Sequence, residues 1–203
     1  MVLPKVWVGR VFRVKATGQG SDLSKLRGKV MKLNLGCGDR LLDGYVNVDV
    51  RGDACGRGVV RDFAETLTAF EGELGLVEEV RAVHVIEHLR RPGGLRPNVE
   101  DALRRWCALL RVGGRVVIEC PDFEKLVWRY VVGMANGKAE PHLKSWIFGL
   151  GKHADDEHRW GYGRRDLAGL VGRCGFRVTS VRNSEDAERA KRCPCMRVDA
   201  VKT

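Results

Sequence analysis

Two glycines one residue apart, with a carboxylate eleven positions further on, are the first residues of this 203-residue chain whose types and spacing can do chemistry. Lys32-Leu33-Asn34-Leu35-Gly36-Cys37-Gly38-Asp39 starts as a short apolar strand and breaks into Gly36 and Gly38. Glycine lets backbone approach a ligand closely, because no Cβ stands in the way. Asp49 lies near the end of a second apolar run, Tyr45-Val46-Asn47-Val48-Asp49-Val50. A carboxylate at such a strand tip can accept hydrogen bonds from both hydroxyls of a ribose. The pair therefore describes a nucleoside pocket at the carboxyl end of a parallel sheet. The dinucleotide pattern G-x-G-x-x-G fails, because Leu41 stands where its third glycine belongs, and no G-x-x-x-x-G-K-[ST] phosphate loop is present. What remains is a ribose and adenine site without a pyrophosphate cradle.

Further chemistry lies downstream. Arg61-Asp62-Phe63 follows the short run Gly58-Val-Val60. Asp62 there can cap the amides of the next turn. Ala82-Val83-His84-Val85-Ile86-Glu87-His88-Leu89 closes another apolar run on a glutamate and a histidine. Imidazole takes a proton near neutral pH, so His88 is a candidate general base with Glu87 orienting it, or the pair merely shapes the turn before Arg90. The run His153-Ala-Asp-Asp-Glu-His158 superficially suggests a metal, but its spacing does not fit one helical face and offers no further ligand set, so no metal is expected. Cys120 precedes Pro121 at a strand end and reads as a small core or loop residue rather than a nucleophile.

The elements that must position these groups alternate along the chain. Apolar runs fall at 31–35, 45–50, 58–61, 80–86, 114–120, 176–182 and 196–202. Between residues 99 and 111, Ala102, Leu103, Trp106, Leu109 and Leu110 recur at helical spacing. Gly113-Gly114 is expected to stop that helix and start the next strand. The pattern predicts an α/β fold, a doubly wound and mostly parallel seven-stranded sheet with helices on both faces. An aromatic-rich insert near 123–163 is expected on the substrate side.

From Met31 onward these residues resemble the class I S-adenosylmethionine-dependent methyltransferases, closest to small stand-alone predicted members. The resemblance rests on the strand running into Gly36-Cys37-Gly38, the Glu87-His88-Leu89 strand end, and His158-Arg-Trp-Gly-Tyr162 followed by Leu167 to Phe176. It implies a Rossmann-like fold with its last strand antiparallel, and S-adenosyl-L-methionine held by Asn34, Gly36, Cys37, Gly38, Asp49, Val50, Asp62, Phe63 and His84. It also implies that Asp62 accepts from the adenine amine while the Phe63 amide faces a ring nitrogen, and that His158 and Tyr162 sit at the active-site mouth. The implied reaction is methyl transfer to an O or N atom of a small-molecule or sugar acceptor, with His88 and His158 catalytic. Two alternatives stay open: an RNA-modifying enzyme, and a non-catalytic S-adenosylmethionine-binding module.

Composition bounds the rest. The chain is long enough for one domain with a sizeable core, and no apolar run approaches the roughly 20 residues of a membrane span. No signal-peptide pattern opens it, so a cytoplasmic location is expected, without membrane association. Seven scattered cysteines read as buried thiols in a reducing compartment. A formal charge of +10 favours acidic partners, nucleic acid among them, but it is spread along the chain without a basic block. Residues 1–30 stand apart as a basic extension, and 31–203 form the catalytic domain.

Overall fold

The computed structural model describes residues 30–56, 58–138, 142–149, 151, 156–185 and 193–203, without the side chains of residues 53 and 54. The basic extension expected over 1–30 thus lies almost wholly outside the described residues. Seven strands form one sheet: β1 (Met31–Leu35), β2 (Val46–Asp49), β3 (Val60–Arg61), β4 (Val77–Val83), β5 (Leu110–Pro121), β6 (Phe176–Asn183) and β7 (Cys195–Lys202). Their spatial order is β3-β2-β1-β4-β5-β7-β6. The first five pair in parallel, and β7 inserts antiparallel between β5 and β6. The chain leaves β1 toward β2 and β3 and returns on the other side as β4. That reversal opens a crevice outside the carboxyl ends of β1 and β4, where open α/β sheets bind ligands.

Strand alternation sorts the sheet into two unlike faces. Leu33, Leu35, Val48, Val80, Ala82, Val116, Ile118, Met196 and Val198 build the main core. Helix α1 (Val99–Leu109) supplies Val99, Ala102, Leu103, Trp106 and Leu109 to it. Helix α4 (Arg164–Arg173) lies beside α1 on the same face, where the Cys174 thiol reaches the Glu100 carbonyl. The opposite face is polar. Glu79 accepts from Arg115 Nε at 2.7 Å and from the Tyr45 hydroxyl at 2.7 Å, while Glu119 accepts from Arg81 and from the Ser184 hydroxyl. Both carboxylates are buried, and buried charge is tolerated when paired and hydrogen-bonded in this way. Helices α2 (Phe123–Ala135) and α3 (Leu143–Phe148) pack Leu126 and Leu143 against Cys195, which points away from the main core.

The sequence placed most strands within a few residues, and the departures have local causes. The fourth strand runs 77–83 rather than 80–86, because His84 adopts a left-handed φ of 55° and turns the chain out of the sheet. The helix ends at Leu109, ahead of the two glycines, since Leu110 is already extended and begins the register with Val77. Gly113 and Gly114 lie within β5 instead. Among the described residues no helix is long and apolar enough to cross a membrane.

Trp106 ties this core to the cavity: it is fully buried, and its indole donates to the Ala64 carbonyl at 2.8 Å. Trp106→Ala is expected to cost about 3–5 kcal/mol, from the lost volume and the orphaned carbonyl. Urea unfolding followed by circular dichroism measures it.

Candidate functional site

The glycine turn is held by three strands at once. Gly36 and Gly38 have φ of 57° and 52°, conformations that L side chains rarely adopt. A Cβ on Gly36 would lie 2.5 Å from Val85 Cγ2, so the tip of β4 packs directly on this backbone. The Gly38 amide donates to Asp49 Oδ2 at 3.0 Å, and the Cys37 amide to the Val48 carbonyl at 3.1 Å. Asp49 Oδ1 accepts from the Arg51 amide at 3.0 Å and from Arg51 Nε at 3.2 Å. Burial by itself raises the Asp49 carboxyl, but the Arg51 and Gly38 amides outweigh it and hold the group below the usual carboxylate range. The Cys55 side chain makes a further hydrogen bond to this carboxylate.

A cavity of about 320 Å³ opens above this turn. Gly36, Gly38, Asp49, Val50, Asp62, Phe63, His84 and His88 all line it, together with Arg51, Val85 and Arg159. Three expected residues do not: Asn34, Cys37 and His158. Asn34 lies beneath the turn, where its amide donates to the Arg40 carbonyl and to Asn47 Oδ1, so it braces the loop from below. The Cys37 thiol packs with Cys55 and Val59, and burial pushes it up to about 12. Asp62 sits on the lining but also caps the turn that follows, accepting from the Ala69 and Phe63 amides at 2.8 Å each. The Phe63 amide, expected to face a ring nitrogen, is therefore taken by Asp62. The Phe63 ring stays half exposed and free to cover a base. A larger, more open hollow of about 510 Å³ lies over β5, β7 and β6 among Arg115, Arg182 and Arg197, away from the glycine turn.

At the β4 tip the titratable groups gather. His84 Nδ1 meets Glu87 Oε1 at 2.9 Å, and its Nε2 lies 3.8 Å from the Cys195 thiol. Burial by itself lowers His84, but Cys195 and Glu87 outweigh it and bring the imidazole up to about 9. Burial likewise raises Glu87, yet the His84 contact keeps it below the usual range and ionised. Its second oxygen, Oε2, is buried without a hydrogen-bond partner, a state that costs about 1–3 kcal/mol. His88 and His158 stand edge to face with ring centroids 4.8 Å apart. Burial holds His158 below its ordinary value, hence neutral at pH 7. His158 does not line the cavity itself and reaches it through His88.

Other downstream expectations fare unevenly. Tyr162 is buried at 2% exposure with its hydroxyl unpartnered, so it is a core residue and not part of the mouth. Of the insert aromatics, Trp146 approaches the site, its ring 6.2 Å from His84, while Trp128 and Phe148 face solvent on α2 and α3. Cys120 is fully buried and its thiol is pushed well up by burial, which suits the core role read from the sequence. His153 and Asp155 lie outside the described residues. The sequence missed Arg51, Val85 and Arg159. A cation two residues past Asp49 was the readable signal for the first; nothing local marked the others.

No protein-family model and no curated protein matches the sequence. Solved structures do match. An S-adenosylmethionine-dependent methyltransferase from Archaeoglobus fulgidus aligns over 88% of this chain and 92% of its own, at 15% identity and a TM-score of 0.56. One from Methanosarcina mazei aligns over 88% and 95%, at 13% identity and a TM-score of 0.52. A Burkholderia thailandensis 1,6-didemethyltoxoflavin-N1-methyltransferase, solved with 1,6-didemethyltoxoflavin and S-adenosylhomocysteine bound, aligns over 89% and 74% at 16% identity and a TM-score of 0.51. The chain thus has the Rossmann-like fold of the class I S-adenosylmethionine-dependent methyltransferases.

Asp49 gives this site a pH signature. Its folded-state pKa is lowered, so the stability it contributes is present above the unfolded value and lost as pH falls through the folded one. The stability difference between wild type and Asp49→Asn is expected to be about 2 kcal/mol above about pH 5, to narrow as pH falls below about 3.9, and to close only under the lowered folded-state value. Thermal melts of both proteins across that range test it.

Proposed function

We propose that this chain is an S-adenosylmethionine-dependent methyltransferase acting on an O or N atom of a small-molecule or sugar acceptor. The observation that carries the reading is the Gly38–Asp49 clamp at the floor of a cavity placed where the strand order reverses. S-adenosylmethionine would supply a methyl group already activated on a sulfonium, so the protein needs no nucleophile of its own. The remaining tasks belong to its side chains: holding the donor, aligning the acceptor and excluding water. Gly36, Gly38 and Val50 form the floor, Asp49 takes the ribose, and Asp62 with the Phe63 ring borders the base. His84 shapes the wall on the β4 side. His88, backed by His158, faces the acceptor with a ring nitrogen, as a general base does. Support for a compact acceptor comes from the half-buried Trp146 beside His84, since aromatic walls suit small organic ligands.

Calorimetric titration with S-adenosylmethionine is expected to show binding by wild type, weakened more than about 10-fold in Asp49→Ala. No binding by wild type, or equal binding by the variant, removes this reading. Transfer of labelled methyl into a cell extract is expected to fall about 100-fold in His88→Ala, with donor affinity retained. Identification of the labelled product then names the acceptor.

A further inference from the structure

The β4 tip carries more donor atoms than a cofactor wall requires. Glu87 is 2% exposed, and its Oε2 has no hydrogen-bond partner although Oε1 is held by His84. His88 Nδ1 meets the Glu157 carbonyl at 3.1 Å, and His158 Nδ1 meets the Trp146 carbonyl at 2.9 Å. A carbonyl only accepts, so both Nδ1 atoms carry the proton and both Nε2 atoms keep a lone pair. A ring nitrogen freed in this way, with its partner nitrogen donating to a carbonyl, is the arrangement in which histidine ligates metals. Glu87, His88 and His158 each bring one ligand-capable atom, a ring nitrogen or a carboxylate oxygen, within 4.8 Å of the others.

We propose that Glu87, His88 and His158 bind a divalent transition-metal ion at the mouth of the cavity. Two imidazole nitrogens and one carboxylate oxygen suit zinc and its first-row neighbours, whereas magnesium and calcium take oxygen sets. The ion gives the buried Glu87 oxygen the partner it lacks. Three protein ligands leave a coordination position open, and His88 lies on the cavity lining, so the open position is within reach of a bound acceptor. With the ion bound, His88 is its ligand and not the base, and an acceptor hydroxyl bound there loses its proton to solvent more readily, because the metal lowers its pKa. The acceptor class follows: a molecule presenting a hydroxyl oxygen that can enter a metal's coordination sphere. This last step rests on the methyltransferase reading; the ion site itself does not.

Titration of the metal-stripped, reduced protein with Co²⁺ tests the site. One site is expected, with visible d–d absorption and without the thiolate charge-transfer band of a cysteine site. Glu87→Gln and His158→Ala are each expected to weaken Co²⁺ binding more than about 10-fold, while His142→Ala leaves it unchanged. If Glu87→Gln fails to fold, His88→Gln at a half-exposed position supplies the comparison. A thiolate band, unchanged affinity in the ligand variants, or no binding by wild type overturns the proposal. Titration of the same samples with S-adenosylmethionine separates the two readings. Co²⁺ bound by a protein that ignores S-adenosylmethionine supports the ion site and removes the methyltransferase reading. Full-rate methyl transfer in excess chelator overturns the ion's part in the reaction and leaves the methyltransferase reading standing.

Discussion

The hydrogen bond from the Gly38 amide to the Asp49 carboxylate spans the tips of two neighbouring strands, and the geometry of the cavity follows from it. It requires the chain to leave β1 through two left-handed residues, which only glycine adopts without strain. It also requires Gly36 to lack a Cβ, because Val85 at the end of β4 occupies that space. Three strand ends are thereby fixed against one another: β1 through its glycines, β2 through Asp49 and β4 through Val85. The carboxylate that holds the turn is the same group that faces the cavity. Arg51 shares it from the solvent side.

A second constraint acts on the far side of the cavity. His84 sits in a left-handed conformation that a β-carbon disfavours, and it is held there from several directions. Its amide donates to the Glu119 carbonyl at 2.8 Å, and its ring bridges Glu87 and Cys195. The Glu87 carbonyl in turn receives the Arg159 amide at 2.7 Å and the Trp160 amide at 3.2 Å. That contact brings the segment bearing His158 back onto the β4 tip. The two sides of the cavity therefore share one strand end, and its kink sets their spacing.

The sheet supplies rigidity without a uniformly apolar interior. One face carries the aliphatic core under α1 and α4, while the other buries Glu79 and Glu119 among arginines. Buried ion pairs of this kind add little net stability against an apolar core. They do penalise slippage, because a one-residue shift would carry each carboxylate away from its cation. The register of β4 and β5 beneath the cavity is set by apolar packing on one side and by charge pairing on the other.

Much of the fold was legible because its signals are local. Alternation in Leu33 and Leu35, helical spacing from Ala102 to Leu109, and glycine at positions 36 and 38 are each decided by neighbours in the chain. The clamp was half legible: Asp49 stood at a strand end, but its partner amide and the overlying Arg51 emerged only with the strands paired. Asn34 and Cys37 misled because a motif marks residues near a ligand without saying which point down into the protein. The end of β4 misled because His84 leaves the sheet against its own preference, held by Glu119, Glu87 and Cys195, which come from the turn and from two other strands. Tyr162 went into the core, and His158 to the neighbourhood of His88, for the same reason. From the sequence alone came the order of strands and helices and the glycine turn with its facing aspartate. The convergence of Glu87, His88 and His158 was decided by tertiary packing, since segments distant in the chain meet only where the whole core brings them together.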